Sequence, residues 1–115
     1  LEWHTMGEGF TWDTQDKARD IVAAEAAFDR AKAMMANGSY NLVVLDEINI
    51  AMRYDYLSTD AVLEGLKARD SQTSVILTGR DAKPELCDYA DLVSEMVEVK
   101  HPFKAGLKAK RGVDF

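Results

Sequence analysis

The sequence predicts an α/β fold with a mainly parallel sheet and flanking helices. The predicted strands at residues 42–46 and 74–78 contain short apolar runs with β-branched side chains, which are typical of strands buried on both faces of a parallel sheet. Apolar residues at helical spacing precede the first run and lie between the two runs. Because parallel strands are joined through crossover helices, this alternation indicates βαβ units with right-handed connections.

The first helix is predicted to follow a Gly-rich loop at residues 6–12. Asp13 or Thr14 can cap the amino-terminus of this helix, and Asn37-Gly38 is expected to end it. Its inward face is predicted from apolar residues at helical spacing, which are Ile21, Ala24, Phe28, Ala31 and Met35. The pair Met34-Met35 is therefore expected to fill the core rather than to contact a cofactor.

The segment between the two strands is predicted to hold a second helix. Residues 47–57 are expected to be irregular, and Ser58 or Thr59 can cap a helix that ends near Arg69. Its inward-facing residues are predicted to be Val62, Leu63 and Leu66.

Two further elements are predicted after the second strand. Pro84 suits the first turn of a short helix over residues 85–89. Residues 92–99 intersperse apolar side chains with Ser94, Glu95 and Glu98, and we expect an edge strand here. From Lys100 onwards the periodicity fades.

Composition limits the classes of protein that this chain can represent. A length of 115 residues with 47% apolar content predicts one domain at most. The net charge of -6 argues against a nucleic-acid partner, although residues 100–115 form a basic tail with five Lys or Arg and one acid. Such a tail suits phosphates or an acidic partner, but solvated termini are more common.

Cysteine content and hydropathy predict a cytoplasmic protein without a membrane partner. The single cysteine, Cys87, excludes an internal disulfide and a Cys-based zinc cluster, and we expect a buried structural thiol. No apolar run approaches the roughly 20 residues that span a bilayer. Because the chain begins at Leu1 within a strand-like segment, we expect further residues upstream.

The strand predicted at residues 42–46 leads directly into two carboxylates, Asp46 and Glu47. Open α/β sheets bind ligands at the carboxyl ends of their strands, so this sequence is similar to a Walker B strand whose acids hold Mg²⁺ beside phosphates. The alternative is a core strand that ends in a solvated acidic turn.

Arg80 follows the second predicted strand and is expected at the same edge of the sheet as the two acids. A guanidinium matches phosphate oxygens in a bidentate geometry, so the three residues together suit Mg²⁺ and a polyphosphate. The alternative is an Asp–Arg surface pair, which is usually worth about 0 to 1 kcal/mol.

Two aromatic residues in the Gly-rich loop, Phe10 and Trp12, suit a large flat ligand better than a core. The Gly7-Glu8-Gly9 segment lacks the Lys-Ser/Thr of a P-loop and is weak evidence for phosphate binding. His4 and His101 are isolated in the sequence, so a surface or packing role is favoured over metal ligation.

Five segments in this order resemble the ATP:corrinoid adenosyltransferases of bacterial cobalamin synthesis, namely residues 6–12, 43–47, 54–57, 78–80 and 99–103. The resemblance extends to the carboxyl-terminal residues 110–115. It implies a RecA-like P-loop α/β fold and a homodimer. It also implies transfer of the 5′-deoxyadenosyl group of ATP to the cobalt of a reduced corrinoid, with release of triphosphate.

The chain departs from this family pattern in one respect, because it has no Walker A sequence. Residues 1–115 are therefore expected to be the carboxyl-terminal two thirds of a single adenosyltransferase domain, without the P-loop unit. A fragment that is inactive by itself is one alternative. A non-enzymatic nucleotide-binding module of P-loop type is another, with Phe10 and Trp12 contacting a protein partner.

The resemblance also implies roles for individual residues. Glu47 and Arg80 are the expected catalytic residues, with Asp46 and Glu47 binding Mg²⁺ and Arg80 binding the phosphates of ATP. The expected corrinoid-binding residues are Phe10, Trp12, Tyr54 and Tyr56. The resemblance is also compatible with a flavodoxin-type electron donor.

Overall fold

The computed structural model describes residues 17–100. Its elements are α1 (Lys17–Ala36), β1 (Leu42–Leu45), α2 (Ile48–Arg53), α3 (Thr59–Lys67), β2 (Ser74–Leu77) and α4 (Pro84–Tyr89). The predicted Gly-rich loop with Phe10 and Trp12, and nearly all of the basic tail, lie outside the described residues.

The two strands form a parallel pair, as predicted. Their register runs from Leu42 opposite Ser74 to Leu45 opposite Leu77. The connection between them contains α2 and α3, so the described part is an α/β unit with a small two-stranded parallel sheet. The RecA-like P-loop type stays a prediction.

The core lies between one face of this sheet and the helices α1 and α3. Residues Val43 and Leu45 of β1 are buried, and Met35 of α1 has no exposed surface, which confirms its predicted role in the core. A Cβ atom on Gly65 would lie 2.8 Å from Cζ of Phe28, so α1 and α3 pack closely at this point. The remaining buried apolar residues of these helices are Ala24, Val62 and Leu66.

The predicted capping of α3 is also confirmed. Ser58 precedes the helix with extended backbone angles, and its hydroxyl accepts a hydrogen bond from the backbone N–H of Ala61 at 3.1 Å. This bond satisfies one of the amides that the first helical turn leaves without a partner. Within residues 17–100, no helix combines the length and the apolar character that a membrane crossing requires.

The prediction that both strands are buried on two faces is wrong for the described residues. Side chains of the outward face are half exposed, with values of 51% for Leu42, 52% for Val44 and 48% for Ile76. The physical reason is that the described helices cover one face of the sheet, and within residues 17–100 no layer lies against the opposite face.

Two predicted elements differ from the structure. Residues 47–57 contain the short helix α2 rather than an irregular segment, because Ile48, Ala51 and Met52 bury one helical face. Residues 92–99 form no strand and are exposed. No described strand lies beside them, and a strand forms only where a neighbour completes the hydrogen bonds.

Candidate active site

The carboxyl ends of β1 and β2 are joined by hydrogen bonds beyond the last ladder pair. The backbone N–H of Thr78 donates to the carbonyl of Leu45 at 3.2 Å, so the parallel pairing continues by one residue. The Thr78 hydroxyl donates to Oδ1 of Asp46 at 2.9 Å and accepts from the backbone N–H of Glu47, also at 2.9 Å. This threonine therefore connects the two predicted metal ligands through one oxygen atom.

Glu47 is the residue at which β1 turns into α2. Its backbone is in the left-handed region, with φ 62° and ψ 19°, and its side chain is exposed. A non-glycine residue in this region is uncommon and is often found at functional sites. The turn displays the carboxylates of Asp46 and Glu47 to solvent at the end of the strand.

Helix α2 packs directly against the chain that leaves β2. Asn49 is only 6% exposed, and its backbone N–H donates to the carbonyl of Thr78 at 3.2 Å. Its side-chain amide donates to the carbonyl of Gly79 at 3.3 Å. A Cβ atom on Gly79 would lie 2.9 Å from Cβ of Asn49, and the φ of Gly79 is +127°, so both space and backbone conformation require glycine here.

Arg80 follows Gly79 and is exposed. The next residue, Asp81, forms an ion pair with Arg53 of α2 at 3.0 Å, so the loop that carries Arg80 is attached to α2 on both sides. Among residues 17–100, no ion pair joins Arg80 to Asp46 or Glu47. The Asp–Arg surface pair at this edge is formed by Arg53 and Asp81 and does not include Arg80, which lies two residues beyond Thr78.

Tyr54 and Tyr56 are stacked, with ring centroids 6.0 Å apart and an interplanar angle of 30°. Tyr54 is 41% exposed, and the Arg53 guanidinium lies 5.8 Å from its ring centroid. Tyr56 is buried and hydrogen-bonded to Asp20 of α1. Burial raises the pKa of the Tyr56 phenol, and the charge of Asp20 and the neighbouring Tyr54 raise it further. Tyr54 thus presents an accessible ring that is supported from behind by Tyr56.

The donor atoms at the strand ends fit Mg²⁺ only together with a phosphate ligand. Within the described part of the chain, no group of three or more His, Cys, Asp or Glu could hold a metal ion. Asp46 and Glu47 are two adjacent exposed carboxylates, and one oxygen of Asp46 already accepts from Thr78. Mg²⁺ is usually bound in this way, through one or two carboxylates, waters and the phosphates of a nucleotide.

Sequence reasoning had not identified Thr78, Asn49 and Arg53 as residues of this edge. The sequence signal for Thr78 is its place at the end of the second predicted strand, but the register that brings it opposite Asp46 is seen only in the structure. The roles of Asn49 and Arg53 depend on α2, which the sequence analysis had not predicted. Phe10 and Trp12 lie outside the described residues.

Comparisons with known proteins bear on the whole chain. Residues 1–115 match the family model described as ATP:corrinoid adenosyltransferase BtuR/CobO/CobP. Proteins named corrinoid adenosyltransferase from Pseudomonas aeruginosa and from a Sinorhizobium species are 51% and 50% identical over 115 residues. The match covers 100% of this chain and 57% of the Pseudomonas protein, and 99% of this chain and 54% of the Sinorhizobium protein.

A more distant relative gives the same result. The corrinoid adenosyltransferase of Escherichia coli K12 is 42% identical over 115 residues, covering 100% of this chain and 59% of the relative. The chain therefore spans between 54% and 59% of the length of these curated relatives.

Proposed function

Because the chain belongs to the ATP:corrinoid adenosyltransferase family, we propose that the complete native polypeptide transfers the 5′-deoxyadenosyl group of ATP to a reduced corrinoid. In this reaction Co(I) attacks C5′ of the ribose, a cobalt–carbon bond forms, the C5′–oxygen bond breaks and triphosphate leaves. The observation that supports a phosphate site at the strand ends is the acid pair linked through Thr78, with Arg80 at the same edge.

The demands of this reaction agree with the side chains at the strand ends. Co(I) carries no proton that must be removed, so a general base is unnecessary, and the protein has to align the reactants and neutralise the leaving group. Arg80 is exposed and suited to the phosphate oxygens. Glu47 and Asp46 would hold Mg²⁺, which when bound offsets the negative charge of the triphosphate.

The corrinoid is proposed to contact aromatic residues. Phe10, Trp12 and Tyr54 are assigned to this contact, with Tyr56 stacked behind Tyr54 as support. The exposed ring of Tyr54 supports the assignment, because a corrin is a broad, largely apolar surface. A homodimer and a flavodoxin-type electron donor belong to the same proposal and follow from the family resemblance alone.

Replacement of Glu47 by glutamine tests the acid pair. In the complete native polypeptide, Glu47→Gln is expected to lower Mg²⁺-dependent adenosylation at least tenfold, or about 1.4 kcal/mol in barrier height, because the amide removes the charge that holds the metal. Spectrophotometric turnover of Co(I) corrinoid with MgATP measures the effect.

Glu64→Gln is the matched control for this test. Glu64 is an exposed glutamate of α3 and lies outside the strand ends, so its replacement should leave turnover unchanged. Equal turnover of Glu47→Gln and wild-type protein at limiting Mg²⁺ would contradict the catalytic role of Glu47. Wild-type protein that neither binds nor adenosylates a corrinoid would contradict the proposed function itself.

Alanine at Phe10 or Trp12 tests the corrinoid side. Both variants are expected to impair formation of four-coordinate Co(II) corrinoid more than ATP binding, because the aromatic rings act on the cobalt face and not on the phosphates. Absorption or electron paramagnetic resonance spectra report the Co(II) state, and ATP affinity is the internal control. Variants that lose ATP affinity but give normal four-coordinate corrinoid would assign this loop to the nucleotide.

A further inference from the structure

We propose that Thr78 is a positioning residue that sets the direction of the Glu47 carboxylate toward a Mg²⁺–polyphosphate ligand. This inference deepens the proposed function and rests on it. It starts from a single oxygen atom, Oγ1 of Thr78, which lies 2.9 Å from both the backbone nitrogen of Glu47 and Oδ1 of Asp46.

The chemistry of the three groups allows one arrangement of hydrogens. A backbone N–H can only donate, so Oγ1 accepts from Glu47. An ionised carboxylate can only accept, so the one hydroxyl hydrogen points at Asp46. Both bonds are made together only when the hydroxyl is fixed in a single orientation, and the bond to the carboxylate is of the stronger, charge-assisted kind.

Thr78 is itself held in place by two backbone hydrogen bonds. Its backbone N–H donates to the carbonyl of Leu45, and its carbonyl accepts from the N–H of Asn49, both at 3.2 Å. The threonine is thus held by β1 on one side and by α2 on the other. If Glu47 moved relative to Thr78, the hydrogen bond from the Glu47 N–H to Oγ1 of Thr78 would break.

The consequence concerns the backbone of Glu47. Its left-handed conformation, with φ 62°, costs energy for a residue that is not glycine and needs support from its surroundings. The bond from its N–H to Thr78 supplies such support. Since the backbone angles determine where the side chain leaves the main chain, loss of this bond should move the carboxylate, and displacements of about 1 Å already weaken catalytic alignment.

Isosteric and conservative variants separate positioning from a general structural role. Thr78→Val keeps the shape and removes the hydroxyl, whereas Thr78→Ser keeps the hydroxyl. The matched control is Thr73→Val, because Thr73 is a buried threonine just before β2 whose hydroxyl donates to the carbonyl of Tyr40 at 2.6 Å. The Thr73→Val variant therefore also loses a hydroxyl hydrogen bond, but at the opposite end of β2.

Two readouts are independent of corrinoid chemistry. Amide hydrogen exchange of Glu47, followed by NMR, reports the bond to Thr78. Binding of Mn²⁺ in the presence of ATP, followed by electron paramagnetic resonance, reports the acid pair with Mn²⁺ as a probe for Mg²⁺. The third readout is the Mg²⁺ concentration that gives half-maximal turnover of the complete native polypeptide.

Thr78→Val is expected to raise the half-maximal Mg²⁺ and the Mn²⁺ dissociation constant about three- to tenfold, the size expected for one lost hydrogen bond of about 1 kcal/mol. Exchange of the Glu47 amide should become at least about tenfold faster. Thr78→Ser should resemble the wild type in all three measurements. Thr73→Val should lower the midpoint of urea unfolding, and it should leave the half-maximal Mg²⁺, the Mn²⁺ affinity and the Glu47 exchange unchanged.

Several outcomes would overturn the inference. Thr78→Val with wild-type Glu47 exchange and wild-type metal affinity would show that the hydroxyl does not position the acid pair. An equal loss of turnover in all three variants, with unchanged metal requirement, would show a general structural effect. If the wild type binds Mn²⁺ with ATP but adenosylates no corrinoid, the proposed function fails, and the exchange and Mn²⁺ measurements still decide the role of Thr78.

Discussion

Replacement of Gly79 by alanine is expected to lower the free energy of unfolding by roughly 2 to 6 kcal/mol, and to disrupt the strand ends as well. The first cause is the φ of +127°, a backbone conformation that costs an L-residue about 1 to 3 kcal/mol. The second cause is steric, because the new Cβ would lie 2.9 Å from Cβ and 3.3 Å from the backbone nitrogen of Asn49. Such overpacking typically costs about 1 to 3 kcal/mol.

No side-chain rotation can relieve this contact, because the atoms involved are a Cβ and the backbone of α2. The loop must move instead, and with it the carbonyl of Gly79 that accepts from the Asn49 amide. Since that loop carries Arg80, the adenosylation proposed for the complete native polypeptide should fall together with stability. Urea unfolding followed by circular dichroism measures the first effect, and the corrinoid assay measures the second.

Gly38→Ala is the matched control. Gly38 also has a positive φ, +76°, but its Cβ position lies 3.4 Å from the nearest atom, Oδ1 of Asp70, which is an ordinary contact. Alanine there should cost about 1 kcal/mol of backbone strain without steric overlap, and activity should be retained. A Gly79→Ala protein within about 0.5 kcal/mol of the wild type would show that α2 and the loop separate easily.

Helices α1 and α3 and both strands could be predicted because their sequence signals are long or doubly supported. The apolar residues of α1 recur at helical spacing from Ile21 to Met35, and α3 combines such spacing with a capping Ser58. Both strands are short, mainly apolar runs in which two of the four residues are β-branched, and they end at turn or site residues. In these elements the local conformational preference of the sequence and the burial of its apolar residues favour the same structure.

Helix α2 and the segment at residues 92–99 could not be predicted for opposite reasons. Six residues are too few for a periodic pattern to stand out, so α2 depends on packing against the core and against the loop after β2. Residues 92–99 intersperse β-branched and other apolar side chains with polar ones, yet a strand needs a neighbour that this composition does not specify.

The same distinction applies to the candidate site. Asp46, Glu47 and Arg80 follow apolar strands, so their position at one edge followed from the topology of parallel sheets. The hydrogen bonds of Thr78 join residues 31 and 32 positions apart, and they depend on the register of the two strands. The apolar runs indicate this edge of the sheet but not the register of the strands, so the role of Thr78 could not be predicted from the sequence.

The outward face of the sheet is a candidate surface for association with other chains. Leu42, Val44 and Ile76 form an exposed apolar surface, and each strand has one neighbour within the described residues. Exposed apolar faces and open strand edges favour association with other chains. The segment 92–99 carries further exposed apolar residues, which are Leu92, Val93, Met96, Val97 and Val99.

A polypeptide made of residues 1–115 alone is therefore expected to self-associate through this face or to aggregate. It should also bind ATP at least about a hundredfold more weakly than the complete native polypeptide, or about 2.7 kcal/mol, because residues 1–115 contain no Walker A amides and lysine to hold the phosphates. Size-exclusion chromatography with light scattering measures the assembly state, and isothermal titration with MgATP measures the affinity.

Val44→Lys should increase the monomer fraction of this polypeptide, because it places a charge on the outward sheet face without entering the core. Val22→Lys is the matched control, since Val22 is an exposed valine on α1 and its replacement should leave association unchanged. If Val44→Lys and Val22→Lys self-associate to the same extent, the chains associate through a surface other than the outward sheet face. A monomeric wild-type chain of residues 1–115 with the ATP affinity of the complete native polypeptide would contradict both the role of the outward face and the proposed P-loop type.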